Sequence, residues 1–196
     1  MKTIPILDDD RPKVVDHSKH HYHHHHHYYH YDQLTCHGSV DIQPKPKTYC
    51  VHCKADSSYA LTDREGTVIL ALADPTDPCQ VWFRDDSLSV HVKDEHGFSS
   101  FVLVNKGSGR ALKHPSGAGQ RVELLRYDRG ALLDGSTLWT AAGEEEYKAV
   151  RLQNNVRLNM DAFGGVKESG GVHGGTTIGV WEWNGGDNQL WKFVPN

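Results

Sequence analysis

Two stretches near the end of this 196-residue chain hold the residue types from which a site can be built. Leu158-Asn159-Met160-Asp161-Ala162-Phe163 supplies an acid. Val180 to Trp191 supplies two ring candidates, Trp181 and Trp183, and the neutral amides Asn184, Asn188 and Gln189. A carboxylate accepts stronger hydrogen bonds than a neutral oxygen, and a flat indole buries an apolar face while leaving polar neighbours free. None of these groups is an obvious nucleophile. The inventory suits gripping a polyol and not breaking a bond, and it names no catalytic residue.

Other chemistries fit less well. Asp161 and Glu182 could be paired as glycosidase carboxylates, which need a defined separation across the scissile bond. Strand alternation turns Glu182 away if Trp181 faces a ligand. Gly107-Ser108-Gly109 lacks the lysine and following helix of a phosphate loop. Cys50-Val51-His52-Cys53 has no second Cys-x-x-Cys to complete a zinc site, and a strand sends its two cysteines to opposite faces. No metal site and no cofactor is expected.

The elements that must hold these residues are short strands. Thr176-Thr177-Ile178-Gly179 leads into the tryptophans, Gly185-Gly186 makes a tight turn, and Trp191-Lys192-Phe193-Val194 reads as a last strand. Similar runs recur from Thr48 onward, including Gly66 to Leu72, Phe101 to Asn105 and Arg121 to Leu125. No stretch sustains a helical period. Gln80-Val81-Trp82, Thr137-Leu138-Trp139 and Gln189-Leu190-Trp191 place tryptophans 57 and 52 residues apart. Upstream lie Leu61-Thr62, Leu112-Lys113 and Met160-Asp161 in similar settings. Three units of about fifty residues, two ending in Gln-x-Trp and one in a degenerate copy, predict an all-β chain folded as a β-trefoil. The tryptophans should fill its core, and the glutamines should brace neighbouring turns.

The trefoil is expected over 48–196. Residues 1–47 read as a disordered low-complexity extension: a His/Tyr tract from Lys19 to Tyr31, then the stiff linker Pro44-Lys45-Pro46-Lys47. The tract offers imidazoles without fixed geometry, so transition metals should bind it only adventitiously. A net charge of −4 gives no footprint for nucleic acid. The first residues lack the apolar core of a secretory signal, and no run approaches the ~20 apolar residues of a membrane span. A soluble intracellular protein with reduced cysteines is expected, without membrane insertion.

Cys53-Lys54-Ala55, Val92 to Glu95, Leu103 to Lys106, Ala111 to His114, Leu138 to Thr140, Asn154 to Leu158, Asp161 to Phe163, Gly174 to Thr177 and Trp181 to Trp191 together resemble the Euonymus-type lectins, the ricin-B-like lectins of plants. The resemblance covers about Thr48 to Asn196. It implies a carbohydrate-binding protein of cytoplasm and nucleus, acting in plant stress responses on glycans or glycoproteins. The alternative is a stress-response module that binds protein partners and keeps only a vestigial sugar pocket. By the family's pattern, an acid accepts two adjacent hydroxyls, a ring ten residues before the closing tryptophan stacks on the sugar, and an asparagine completes the grip. The third repeat supplies Asp161, Trp181 and Asn188 beside Gln189, with Asn184 close by. The first offers Thr62, Leu72 and Cys79. The second offers Lys113, Arg129 and Ser136, with Tyr127 if the register shifts. Only the third repeat is competent by this comparison. Asp161 and Trp181 are expected on the outer surface, with Trp183 as the fallback platform and a bulge sending one indole inward.

Overall fold

The computed structural model describes residues 28–29, 47–129, 132–143 and 145–196. The expected extension and its His/Tyr tract lie outside these, apart from Tyr28–Tyr29, whose backbone pairs antiparallel with Leu133–Asp134.

Each repeat contributes four strands. The first has β1 (Thr48–Cys53), β2 (Asp56–Arg64), β3 (Thr67–Leu72) and β4 (Val81–Asp85). The second has β5 (Val102–Asn105), β6 (Arg110–Lys113), β7 (Glu123–Arg126) and β8 (Trp139–Ala142). The third has β9 (Lys148–Leu152), β10 (Asn155–Ala162), β11 (Ile178–Glu182) and β12 (Leu190–Pro195). The outer strands of the repeats pair in the order β1–β4–β5, then β8–β9–β12, and β12 returns to β1. Two 2.9 Å backbone hydrogen bonds between Phe101 and Trp139 join the two halves, so six strands close a barrel. The middle strands form hairpins β2–β3, β6–β7 and β10–β11. This is the expected β-trefoil. Closure removes the free edges that an open sheet of this size would carry.

The repeat signature is a physical device used three times. Trp82, Trp139 and Trp191 are wholly buried, and their indole N–H groups donate to the carbonyls of Leu61, Leu112 and Met160, each at 2.9 Å. Each ring therefore fills the core and ties a barrel strand to its hairpin. Gln80 Nε2 donates to Leu72 O at 2.8 Å while its Oε1 accepts from Asp74 N. Gln189 repeats this with Glu182 O at 2.9 Å and Asn184 N. In the middle repeat the threonine replacing glutamine turns back locally, Thr137 Oγ1 donating to Asp134 O at 2.8 Å.

Cys53 joins Val51 in the core cluster, whereas Cys50 lies outside it and accepts a hydrogen bond from Asn196 Nδ2. The long connection from β4 to β5 is pinned by Asp94. Its Oδ1 accepts from the backbone of His96 and Phe98, and its Oδ2 accepts from Thr140 Oγ1 and Arg151.

His114, in the middle repeat, is buried against Trp139, and its Nε2 has no hydrogen-bond partner among the described residues. Burial lowers its pKa from 6.5 to about 4, opposed by the Pro115 carbonyl. A depressed histidine favours the fold above its unfolded pKa, and this contribution is lost as pH falls through the folded one. Stability should therefore drop by on the order of 3 kcal/mol between pH 6.5 and pH 4. Urea titrations across that range check it, and the slope should largely vanish in His114→Leu.

Candidate binding site

In β10 and β11 the pairs Met160–Val180, Asp161–Gly179 and Asn159–Trp181 face each other. Met160 and Val180 belong to the core. Directly opposed residues share a face and successive ones alternate. Asp161 and Trp181 therefore sit in adjacent rows on the outward face of one hairpin. Both belong to the hairpin of the third repeat.

Their exposures differ. Trp181 is 47% exposed, but Asp161 is only 4% exposed, which corrects the expectation that both would be surface groups. The cause is the 3-10 turn Asp187–Gln189, which folds over the carboxylate. Asn188 Nδ2 donates to Asp161 Oδ1 at 3.0 Å and to Ala162 O at 3.1 Å. This fixes the amide, and its Oδ1 is buried without a hydrogen-bond partner among the described residues. Burial raises the pKa of Asp161, against the pull of the Gln189 and Asn188 amides. The structure thus holds a poorly solvated anion beside an exposed ring.

Trp181 meets the Phe163 ring edge to face, with centroids 6.4 Å apart at 84°. Trp183 is 48% exposed and follows β11, with its backbone N–H donating to Arg157 O. Neither indole turns inward. The strand ends at Glu182, so no bulge is needed to separate them. Asn184 caps the turn, its Oδ1 accepting from Gly186 N at 2.9 Å. Gln189 is occupied as Gln80 is. These two brace the turn, whereas Asp161, Asn188 and Trp181 are the candidate ligand groups, the first two buried and the third exposed.

The indole anchors also align the repeats. One residue beyond Leu61, Leu112 and Met160 stand Thr62, Lys113 and Asp161, as the sequence comparison had it. Thr62 is buried and donates to Ala60 O, and Lys113 pairs with Glu123. Cys79 and Ser136 lie in the turns that match the one holding Asn188. The ring position is different. Leu70, Leu124 and Val180 oppose the three anchors, so Ala71 and Leu125 match Trp181, not Leu72 and Arg129. The first repeat has one more residue between its hairpin and its bracing glutamine, which shifts a count made from the tryptophan. Tyr127 and Arg129 are engaged elsewhere, donating to Asp85 Oδ2 at 2.5 and 2.7 Å.

No family model matches the chain. Among curated proteins it is 50% identical over 150 residues to the ricin B-like lectin EULS3 of Arabidopsis thaliana, a match covering 76% of this chain and 47% of that protein. It is 44% identical over 156 residues to the ricin B-like lectin R40G3 of Oryza sativa subsp. japonica, covering 79% of this chain and 76% of that one. The chain thus spans about half the length of the Arabidopsis relative. Among solved structures, a Macrolepiota procera ricin B-like lectin in complex with lactose superposes with a TM-score of 0.57 at 15% identity, over 76% of this chain and 95% of that one. That likeness shows the fold. Identity of 44% across most of the R40G3 chain shows the family, and this chain belongs to the ricin B-like lectins.

Proposed function

We propose that this chain binds glycans, without hydrolysing them, through one site on the outward face of its third repeat. The observation that carries the reading is the adjacency of Asp161 and Trp181 in a repeat whose two counterparts hold Thr62 with Ala71 and Lys113 with Leu125. A buried carboxylate is a strong acceptor for sugar hydroxyls because little water competes for it. The exposed indole offers a face for the C–H side of a pyranose. Glu182 opposes Leu158 in the row beyond Asn159–Trp181, one step out of alternation with Trp181, so Glu182 does not join Asp161 across a glycosidic bond. The named lectin relatives and the lactose complex of a protein with this fold support the same ligand class.

The test is a glycan array with the full chain, including lactose-type and mannose-rich oligosaccharides, followed by calorimetry. Trp181→Ala should weaken binding by roughly twofold to tenfold, because stacking on an aromatic face contributes about 0.5–1.5 kcal/mol. Melting should hardly change, since the ring is half exposed. Thr62→Ala and Lys113→Ala should leave affinity untouched. A folded protein silent across the array would favour the protein-binding alternative instead.

A further inference from the structure

The third repeat does not build its site alone. Gly119 N donates to Val180 O at 2.8 Å, Val180 N donates to Gln120 O at 3.0 Å, and Arg121 pairs with Gly179. The turn between β6 and β7 is thereby stitched along the free side of β11. Gly119 lies directly against the indole: a Cβ added there would stand 3.0 Å from Cζ3 of Trp181, with Cε3 and Cη2 within 3.9 Å. The indole also meets Phe163. That ring can approach because Gly179 has no side chain, and a Cβ at Gly179 would fall 2.0 Å from Phe163 Cζ.

We propose that the second repeat forms one wall of the third repeat's glycan site, with Gly119 as a positioning residue that sets the tilt of the Trp181 platform. The proposal rests on the glycan reading above. An indole in contact with both Phe163 and a neighbouring backbone is already oriented before a sugar arrives, which lowers the ordering cost of binding. The same turn exposes Ser116, Gln120 and Arg121. A glycan extending from Trp181 toward the second repeat therefore meets polar side chains from outside its own repeat.

Gly119→Ala tests this in the full chain, with Gly109→Ala as the matched control. Both glycines have positive φ, +76 and +66, so both substitutions carry backbone strain. A Cβ at Gly109 meets nothing within 4 Å, whereas one at Gly119 stands 3.0 Å from the indole, which must give by a few tenths of an ångström. Gly119→Ala should bind array oligosaccharides of lactose and high-mannose type about fivefold to tenfold more weakly, and Gly109→Ala should bind as wild type. Melting temperatures should fall together. A readout without sugar separates the causes. In a Trp183→Phe background Trp181 is the one exposed indole, since Trp82, Trp139 and Trp191 are wholly buried. Acrylamide quenching of its fluorescence should change in Gly119→Ala and not in Gly109→Ala. Wild-type affinity and quenching in Gly119→Ala overturn the positioning role while leaving the site intact. A wild-type chain silent on the array removes the glycan reading itself, whatever the fluorescence shows.

Discussion

Trp191→Ala should lower the melting temperature by about 10 °C or more, or leave the protein insoluble, and Trp82→Ala should do the same. Each substitution empties a fully buried indole site, a loss of about 3–5 kcal/mol. It also strands the Met160 or Leu61 carbonyl that the indole N–H had satisfied. A buried acceptor left without a partner costs about 1–3 kcal/mol more. Against a total stability of about 5–15 kcal/mol, this is a large fraction. Trp191→Phe should fall between, keeping much of the volume while losing the hydrogen bond. Differential scanning calorimetry of the three variants provides the ranking. Wild-type melting in both alanine variants would contradict the three-spoked core.

Asp161→Asn should separate binding from stability in the opposite sense. A charge-assisted hydrogen bond contributes about 1.5–3 kcal/mol, so glycan affinity should fall by about one to two orders of magnitude. Melting at neutral pH should hold or rise. A raised carboxylate pKa favours the fold below the unfolded value, ordinarily 3.8, and that contribution is lost as pH rises through the folded pKa. At neutral pH the buried anion is therefore a cost, and asparagine removes it while keeping an oxygen for Asn188 Nδ2. The stability gain should disappear below pH 3.8. Asp161→Ala is the harsher change, because it leaves Asn188 only Ala162 O. Full affinity in Asp161→Asn would take the carboxylate out of the site.

The architecture was legible because its signature is local and repeated. An indole and a glutamine two residues apart leave a readable mark, and their hydrogen bonds fall in equivalent places in the first and third repeats. The middle copy was readable too, since tryptophan alone fills the core and Thr137 only replaces the brace. The candidate residues could be named from the sequence, but their depth could not. Asp161 is buried by a turn twenty-six and more residues later in the chain, and no pattern around Asp161 reports that. The ring register of the first repeat went astray by one position, because turn length is not conserved between repeats that share an anchor. The contribution of Gly119 was invisible for a further reason. It depends on how two hairpins of different repeats lie side by side, which no spacing within one repeat encodes.

The barrel is closed by its first and last strands. Thr48 Oγ1 donates to Asn196 O, Asn196 N donates to Thr48 O, and β1 pairs with β12 from Tyr49 to Cys53. During synthesis this seam cannot form until residues 190–195 have left the ribosome. Until then the nascent chain carries two unpaired barrel edges and a core lacking one of its three indoles. Contacts this distant in sequence make closure slow relative to hairpin formation, and exposed edges invite pairing with other chains. A stalled or prematurely ended product lacking the final strand should therefore be a chaperone client and a proteolysis target, however complete its first two repeats are.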